Sequence, residues 1–244
     1  MFEPSAYAGR VPPLAPHGAA LLAYHRGRGD AALRLRSSLG EDEILPAGTF
    51  FRSGEGLFAW EGYALELAHG RVLDLGAGAG VHSLELQERG LEVVAVENQP
   101  DLVLILRERG VRRVVRADFR LWAGAPADTV LMLMNGLGPA GTLAGLDRFL
   151  WHARALVAPG GQLLVDIAEA LPEPGPAPAD LPRAHAYEGE AWIELSFEGR
   201  VGRPFRELYL DYETLARHAH DAGWTVGVAF EDGEGAFLVR LTPA

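Results

Sequence analysis

The chain has 244 residues, a length that fits one large α/β domain or a domain with a small appendage. Its net charge of −11 argues against broad binding to a phosphate backbone, and the absence of cysteine excludes disulfides, thiolate catalysis and cysteine-ligated zinc. No apolar run reaches the roughly 18 residues of a membrane span, and no signal peptide is evident, so we expect a cytoplasmic protein.

The first third of the chain is predicted to be helical. Hydrophobic periodicity indicates helices over residues 19–26, 30–39 and 57–69.

The most informative segment follows, over residues 72–80, which read V-L-D-L-G-A-G-A-G. A helix is predicted over residues 81–89, and a second apolar run over 91–96 ends in Glu97. Strand, glycine turn, helix, strand and terminal carboxylate form a nucleotide-binding half-unit of an open parallel sheet. Glu97 lies 97 − 80 = 17 residues after Gly80, close to the roughly 20-residue spacing of a ribose-binding acid.

Two features of the turn separate the candidate ligands. A dinucleotide fingerprint has its third glycine three positions after the second, whereas Val81 occupies that place here and the pattern is Gly-x-Gly-x-Gly. Asp74 precedes the turn, where it would hold a cationic ammonium, directly or through water and backbone groups, but repel a pyrophosphate. S-adenosylmethionine (SAM) carries a sulfonium and an amino-acid tail without phosphate. The turn therefore favours SAM, with an NAD-linked oxidoreductase as the alternative.

The elements downstream continue the alternation of helices and strands. In chain order we predict a helix from residue 100, strands over 111–115 and 128–134, and a helix over 140–157.

The last third is predicted to contain a loop, a strand, a helix and a hairpin. Residues 171–182 hold five prolines and indicate a loop, and the alternation over 192–197 is typical of a half-exposed strand. Asp211 is predicted to cap a helix that runs to residue 222. Residues 225–230 and 236–241, joined by 231–235, are predicted to form a hairpin.

Taken together, the motifs from about residue 70 to 167 resemble those of the class I SAM-dependent methyltransferases. Besides the glycine turn, Asp118-Phe119 follow the predicted strand over 111–115, and Asn135-Gly136-Leu137-Gly138 follow the next one. Residues 158–165, A-P-G-G-Q-L-L-V, are similar to the family's L-x-P-G-G turn into its fifth strand. The segment over residues 135–143 looks like that of a subgroup of small bacterial methyltransferases.

The resemblance implies an α/β fold with a Rossmann-like, seven-stranded, mostly parallel sheet, an antiparallel last strand and helices on both faces. Residues 1–69 would form an N-terminal helical cover, and residues 70–244 the SAM-binding core. An insertion over residues 168–206 would form a second cover, within one structural domain overall.

The resemblance also implies a function: in-line methyl transfer from SAM, giving S-adenosylhomocysteine (SAH), to an unidentified acceptor. We expect a small-molecule acceptor rather than a nucleic acid or a membrane, and the alternatives are the oxidoreductase or a SAM-binding protein without catalysis. No metal site is predicted, and the reaction needs no universal catalytic residue.

Glu97 would hold the ribose, Asn98 would lie near the adenine, Asp118 and Phe119 would bind the base, and Asn135 would border the methionine end or the acceptor. The implied SAM-binding residues are Asp74, Gly76, Ala77, Gly78, Gly80, Glu97, Asn98, Asp118, Phe119 and Asn135.

Several further residues are candidates whose roles the sequence leaves open. Arg52 would pair with the SAM carboxylate or lie on the surface. His82 would either help to cap the helix after the glycine turn or contact the methionine carboxylate or an acceptor. Candidate acceptor-side groups, each with a solvated loop position as the alternative, are His17, His25, His185, Tyr187 and Glu188.

Overall fold

The computed structural model describes residues 7, 9–40, 42–168, 171, 175–176, 178–182, 187–231, 233 and 236–244. Its α-helices are α1 (Ala15–His25), α2 (Ala59–Leu67), α3 (Val81–Glu88), α4 (Pro100–Glu108), α5 (Leu143–Ala153) and α6 (Tyr212–Asp221). The strands of the first half are β1 (Ala32–Ser37), β2 (Asp42–Pro46), β3 (Arg71–Leu75), β4 (Glu92–Glu97), β5 (Val114–Arg116) and β6 (Ala127–Met132). Those of the second half are β7 (Val157–Ala168), β8 (Glu190–Phe197), β9 (Arg200–Val201), β10 (Phe205–Leu208), β11 (Trp224–Glu231) and β12 (Ala236–Pro243).

Seven of these strands form the main sheet, in the order β11-β12-β7-β6-β3-β4-β5. Strands β3 to β7 pair in parallel, whereas β12 lies antiparallel to both β7 and β11. Neighbouring residues of one strand point to opposite faces, so Leu73 packs toward α5 and α6 while Val72 packs toward α2. Helices therefore cover both faces, which explains the nearly continuous apolar runs of the central strands. The predicted fold class is confirmed.

A second, antiparallel sheet has the order β10-β8-β1-β2, with the short β9 paired to β8. It corrects the helix predicted over residues 30–39, which is strand β1. The misread signal is a period of two: Leu33 packs into a core with α1, whereas Arg34 on the opposite face binds Asp42. The N-terminal cover is thus part helix and part sheet.

Strand β8 is more buried than the half-exposed strand predicted from its alternation. Ile193 and Leu195 face the core beneath α1. Glu190 and Glu194, on the other face, are each only 3% exposed because arginines cover them. The second sheet joins the N-terminal region to the segment predicted as an insertion over 168–206, and its edge strand β10 continues to Leu208.

Local signals at the ends of the later elements are confirmed. Asp211 caps α6 by accepting a hydrogen bond from the Thr214 backbone N–H (2.8 Å), and Gly223, with φ +79°, follows its end. Helix α5 begins later than predicted because Thr142 caps it at Leu143. The hairpin of β11 and β12 is present, although residues 232, 234 and 235 of its connection lie outside the described residues. Within the described part of the chain, no helix has the length and hydrophobicity needed to cross a membrane.

Candidate active site

A cavity of about 820 Å³ lies between the two sheets, at the carboxyl ends of β3, β4 and β6. The opposite wall is formed by α1, β1, β8 and β10. In open α/β sheets, ligands bind at this edge, because the loops and helix N-termini that follow the strands meet there. The cavity has the size of a small-molecule site, for which about 300–1,000 Å³ is usual.

The glycine turn forms one side of this cavity. Gly76, Ala77 and Gly78 line it, and the positive φ angles of Gly76 (+76°) and Gly78 (+55°) are conformations that favour glycine. Gly80, also predicted to bind SAM, does not line the cavity. A Cβ at this position would overlap the side chain of Leu106, so Gly80 allows α3 to pack closely on α4.

Glu97 lies at the end of β4 and lines the cavity while being only 6% exposed. Its carboxylate accepts hydrogen bonds from the backbone N–H groups of Gly78 (3.1 Å), Asn98 (2.7 Å) and Gln99 (2.9 Å). Burial raises the pKa of Glu97 above its ordinary range, although these three donors favour the ionised form. Two carboxylate oxygens offer about four acceptor sites. Oε1 accepts two of these bonds and Oε2 accepts one, so acceptor capacity remains on Oε2 for a hydroxyl group. Asn98 and Gln99 also line the cavity.

Asp74 lies behind the turn rather than in the cavity. It is 2% exposed and accepts a hydrogen bond from Ser83 Oγ (2.6 Å), which ties α3 to β3. Burial raises the pKa of the Asp74 carboxyl. Asp74 therefore does not line the cavity, and its predicted role toward the ammonium group stays a prediction.

The Asp118-Phe119 pair is divided between two environments. Phe119 lines the cavity and packs edge-on against Phe149, with 5.5 Å between ring centroids. Asp118 does not line it and instead binds the guanidinium of Arg120 through both oxygens (2.9 and 2.6 Å), which lowers the pKa of Asp118. Arg120, a residue that sequence reasoning missed, does face the cavity.

Arg52 and His82 share one buried carboxylate at the cavity wall. Arg52 Nη2 lies 2.8 Å from each oxygen of Glu61, and His82 Nε2 lies 2.8 Å from Glu61 Oε1. Burial disfavours the ionised form of Glu61, but hydrogen bonds from His82, Arg52 and the Phe58 backbone outweigh it and lower its pKa. Arg52 is therefore not a surface arginine, and His82 pairs with Glu61 rather than capping α3. Glu61 was missed because it lies 21 residues from His82 in an ordinary helical pattern.

Asn135 lies just beyond β6 and borders the cavity in a left-handed conformation, with φ +55°. Its backbone N–H donates to Asp166 Oδ2 (3.1 Å), and its side-chain amide donates to Glu207 Oε1 (3.2 Å). Burial raises the pKa of Asp166 to about 6 and that of Glu207 to about 8. Glu207 lines the cavity from β10 and was missed; its only sequence signal is an acid between Phe205 and Tyr209, which also line the cavity.

The candidate acceptor-side groups are mostly elsewhere. His17 lines the cavity beside Gln99 (3.1 Å), and burial lowers its pKa to about 4, so it is neutral at pH 7. His25 binds Glu108 (2.9 Å), and Tyr187 donates to Asp211 (2.5 Å). These two residues and the exposed Glu188 do not line the cavity, and His185 lies outside the described residues. Among the side chains that the structure describes, no group of three or more His, Asp or Glu residues is arranged to hold a metal ion.

These features define a class of protein: an open α/β fold whose strand edge, glycine turn and buried acid suit an adenosine-like ligand, enclosed by a second sheet. The particular family follows from a solved structure. A SAM-dependent methyltransferase from Bacteroides fragilis, crystallised with SAH, is 32% identical, and the match covers 96% of this chain and 98% of that one with a TM-score of 0.84. The chain therefore belongs to the SAM-dependent methyltransferases.

Curated relatives match over shorter stretches. A cypemycin N-terminal methyltransferase from Streptomyces is 42% identical over 86 residues, and a ubiquinone biosynthesis O-methyltransferase from Xanthomonas oryzae is 39% identical over 57 residues. These matches cover 34% and 23% of this chain, and 35% and 24% of the relatives' own lengths. No family model matches the chain.

Proposed function

We propose that the protein transfers the methyl group of SAM to a small-molecule acceptor held in the cavity between the two sheets. The observation that carries the proposal is Glu97, a buried carboxylate that closes the glycine turn and retains acceptor capacity toward the cavity. Family membership and the second sheet, which encloses the cavity, support it. The ribose of SAM suits Glu97, because Oε2 of this carboxylate can accept a hydrogen bond from a ribose hydroxyl.

The other cavity residues suggest how SAM is oriented. The backbone of Gly76, Ala77 and Gly78 would lie against the methionine part, with Asp74 and Gly80 supporting the turn and helix behind it. Asn98 would border the adenine, and Phe119 would pack on its face. Asp118 would act by holding Arg120 at the cavity.

At the methionine end, two cavity groups are suited to complementary tasks. Arg52, held by Glu61, is a cation at the cavity wall that would pair with the SAM carboxylate. Asn135 borders the adjoining space, in which we place the acceptor.

Catalysis would rest mainly on positioning. The sulfonium supplies an activated methyl group, so this chain has to align the attacking atom, exclude water and, where the acceptor carries a proton, remove it. Relatives named as O- and N-terminal methyltransferases show that both oxygen and nitrogen acceptors occur among similar proteins. The enclosed cavity and the acidic surface favour a small molecule over nucleic acid.

Calorimetric titration with SAM, SAH and NAD tests the proposal. We expect SAM and SAH to bind and NAD not to, and Glu97→Ala to weaken SAH binding by about 10- to 100-fold, the worth of lost hydrogen bonds to a charged group. Glu66→Ala, at an exposed position on α2, is the control and should leave SAH affinity unchanged. Tight SAH binding that Glu97→Ala does not weaken would remove the ribose assignment, and NAD binding in place of SAH would favour the oxidoreductase.

A non-catalytic SAM-binding protein is the second candidate, because the reaction requires no obligatory catalytic residue. A screen of small-molecule acceptors with methyl-labelled SAM separates the two functions. Label transferred to any acceptor, and not in the absence of protein, supports the enzyme.

A further inference from the structure

Three carboxylates line the cavity among the described residues, and they differ in their partners. Glu61 is bound by Arg52, His82 and a backbone N–H, and Glu97 is bound by three backbone N–H groups. In the described part of the chain, Glu207 has one hydrogen-bond donor, the neutral amide of Asn135 (3.2 Å). A carboxylate in an enclosed apolar site is unfavourable unless it is paired or protonated, so Glu207 lacks a cationic partner that a ligand can supply.

A ligand group that binds Glu207 would lie beside the proposed reaction centre. The Asn135 amide joins Glu207 to the end of β6, the neighbour of β3 and its glycine turn. Gly138 makes this arrangement possible, because a Cβ at residue 138 would overlap both the Glu207 carboxylate and the Asn135 amide.

The wall to which Glu207 belongs is mainly apolar. On the second sheet, six apolar side chains line the cavity along with Glu207, and Phe205 and its cross-strand partner Ile193 are among them: Leu33, Leu35, Leu45, Ile193, Leu195 and Phe205. An acceptor bound there would therefore combine an apolar body with one polar group directed at the carboxylate.

The ionisable groups on the surrounding elements do not supply a cation to Glu207. Arg206 on β10 lies 3.3 Å from Glu190 on β8, and Asp166 on β7 accepts from the Asn135 backbone. His17 on α1 is neutral at pH 7, and Arg148 on α5 is exposed to solvent. Arg120, which also lines the cavity, binds both oxygens of Asp118, and Arg52 and His82 both bind Glu61.

We propose that Glu207 is a catalytic residue that binds the amino group of an amine acceptor with an apolar body and takes up its proton. This inference rests on the proposed methyltransferase function. A neutral hydroxyl acceptor leaves Glu207 protonated and uncharged, whereas an ammonium group pairs with the ionised carboxylate and supplies up to three hydrogen-bond donors.

The step balances as follows for a primary amine. The ammonium group gives one proton to the Glu207 carboxylate, leaving a lone pair on nitrogen. That nitrogen forms a bond to the methyl carbon as the bond from this carbon to sulfur breaks, and the sulfur keeps the electron pair. The products are a methylated ammonium, neutral SAH and a protonated Glu207, which then loses its proton to solvent.

Because the pKa of Glu207 is raised to about 8, the proposal predicts that protons are released when an amine binds. At pH 7 the free carboxyl is largely protonated, and binding of an ammonium group pairs with the ionised form. About one proton is therefore released to the buffer when an amine binds, and none when the matching alcohol binds.

Calorimetry on the SAH-saturated protein at pH 7, in two buffers of different ionisation enthalpy, tests the proposal. The probes are benzylamine, 2-phenylethylamine and hexylamine, each compared with its alcohol. We expect at least one amine to bind about tenfold or more tightly than its alcohol, with proton release, because it gains a charged hydrogen bond in an enclosed site. Glu207→Gln should abolish both the amine preference and the proton release without changing SAH affinity. Glu43→Gln, at an exposed position on β2, is the matched control and should retain both.

The proposal is overturned if the alcohols bind as tightly as the amines, if no amine binds, or if the amine preference survives in Glu207→Gln. Failure of SAH itself to bind defeats the proposed function instead. The two failures are therefore distinguishable in one set of titrations.

Discussion

Replacing Glu61 with Gln should destabilise the protein more than a glutamate substitution at an exposed helical site. Glu61 is fully buried, and its carboxylate binds Arg52, His82 and the Phe58 backbone N–H. Glutamine keeps one acceptor oxygen but turns an NH₂ group toward a donor, and it leaves the Arg52 guanidinium, 14% exposed, without its counter-charge. Removing one partner of a buried ion pair costs about 3–5 kcal/mol, so we expect a loss of this size in the free energy of unfolding.

Urea unfolding of wild type, Glu61→Gln and Glu66→Gln measures this loss. Glu66 lies on the same helix, α2, but is exposed, so its substitution should change stability by less than about 0.5 kcal/mol. Because the pKa of Glu61 is below its ordinary value of 4.5, its stabilising effect is present above that pH and declines as the pH falls below it. The difference in free energy of unfolding between wild type and Glu61→Gln should therefore become smaller as the pH is lowered below 4.5. A Glu61→Gln variant as stable as Glu66→Gln at pH 7 would refute the buried ion pair.

Three further changes test other parts of the structure. Gly80→Ala should cost about 1–3 kcal/mol in urea unfolding, because φ is +87° and the new Cβ overlaps Leu106; an unchanged midpoint would contradict the close packing of α3 on α4. Asp211→Ala should cost about 0.5–2 kcal/mol through loss of the α6 cap, whereas Asp211→Asn should retain most of the stability. Glu207→Gln should become more stable than wild type as the pH rises from 4.5 to about 8, since a raised pKa means that wild type loses stability over this window. We expect a gain on the order of 2 kcal/mol at pH 8, allowing for solvent in the cavity, and a constant difference across the pH range would contradict it.

The main sheet was predictable because its signals are local. Apolar runs such as residues 72–75 end in glycine or acid, and helix α5 carries its own cap, Thr142. The mostly parallel sheet with its antiparallel last strand follows from the family resemblance, whose motifs lie between about residues 70 and 167. Outside this region, α6 and the hairpin of β11 and β12 agree with their predicted bounds to within two residues.

The second sheet was not predictable in the same way. Its strands β1 and β8 are separated by about 150 residues, and each is short. Leu33 and Leu35 alternate with arginines. A strand of six residues is too short for this alternation to be told apart from a helical pattern. The partners of those arginines, Asp42 and Glu194, become visible only when the strands are paired.

The site residues show the same difference between local and long-range signals. Residues that follow main-sheet strands, such as Glu97, Phe119 and Asn135, line the cavity. Glu61 was missed because its role depends on pairing with Arg52 and His82, and Glu207 because its raised pKa depends on burial. The residues that adjoin each glutamate in the sequence indicate neither the pairing nor the burial. Asp118 was predicted from its position in the motif to bind the base; in the structure it binds Arg120, and its contact with a base stays a prediction.

A crystal structure of the protein with SAH tests the central claim most directly. The account predicts a ribose hydroxyl within about 3 Å of the Glu97 carboxylate, and the sulfur facing the space bordered by Asn135 and Glu207. A ribose bound away from Glu97, or SAH bound outside the cavity between the two sheets, would contradict it.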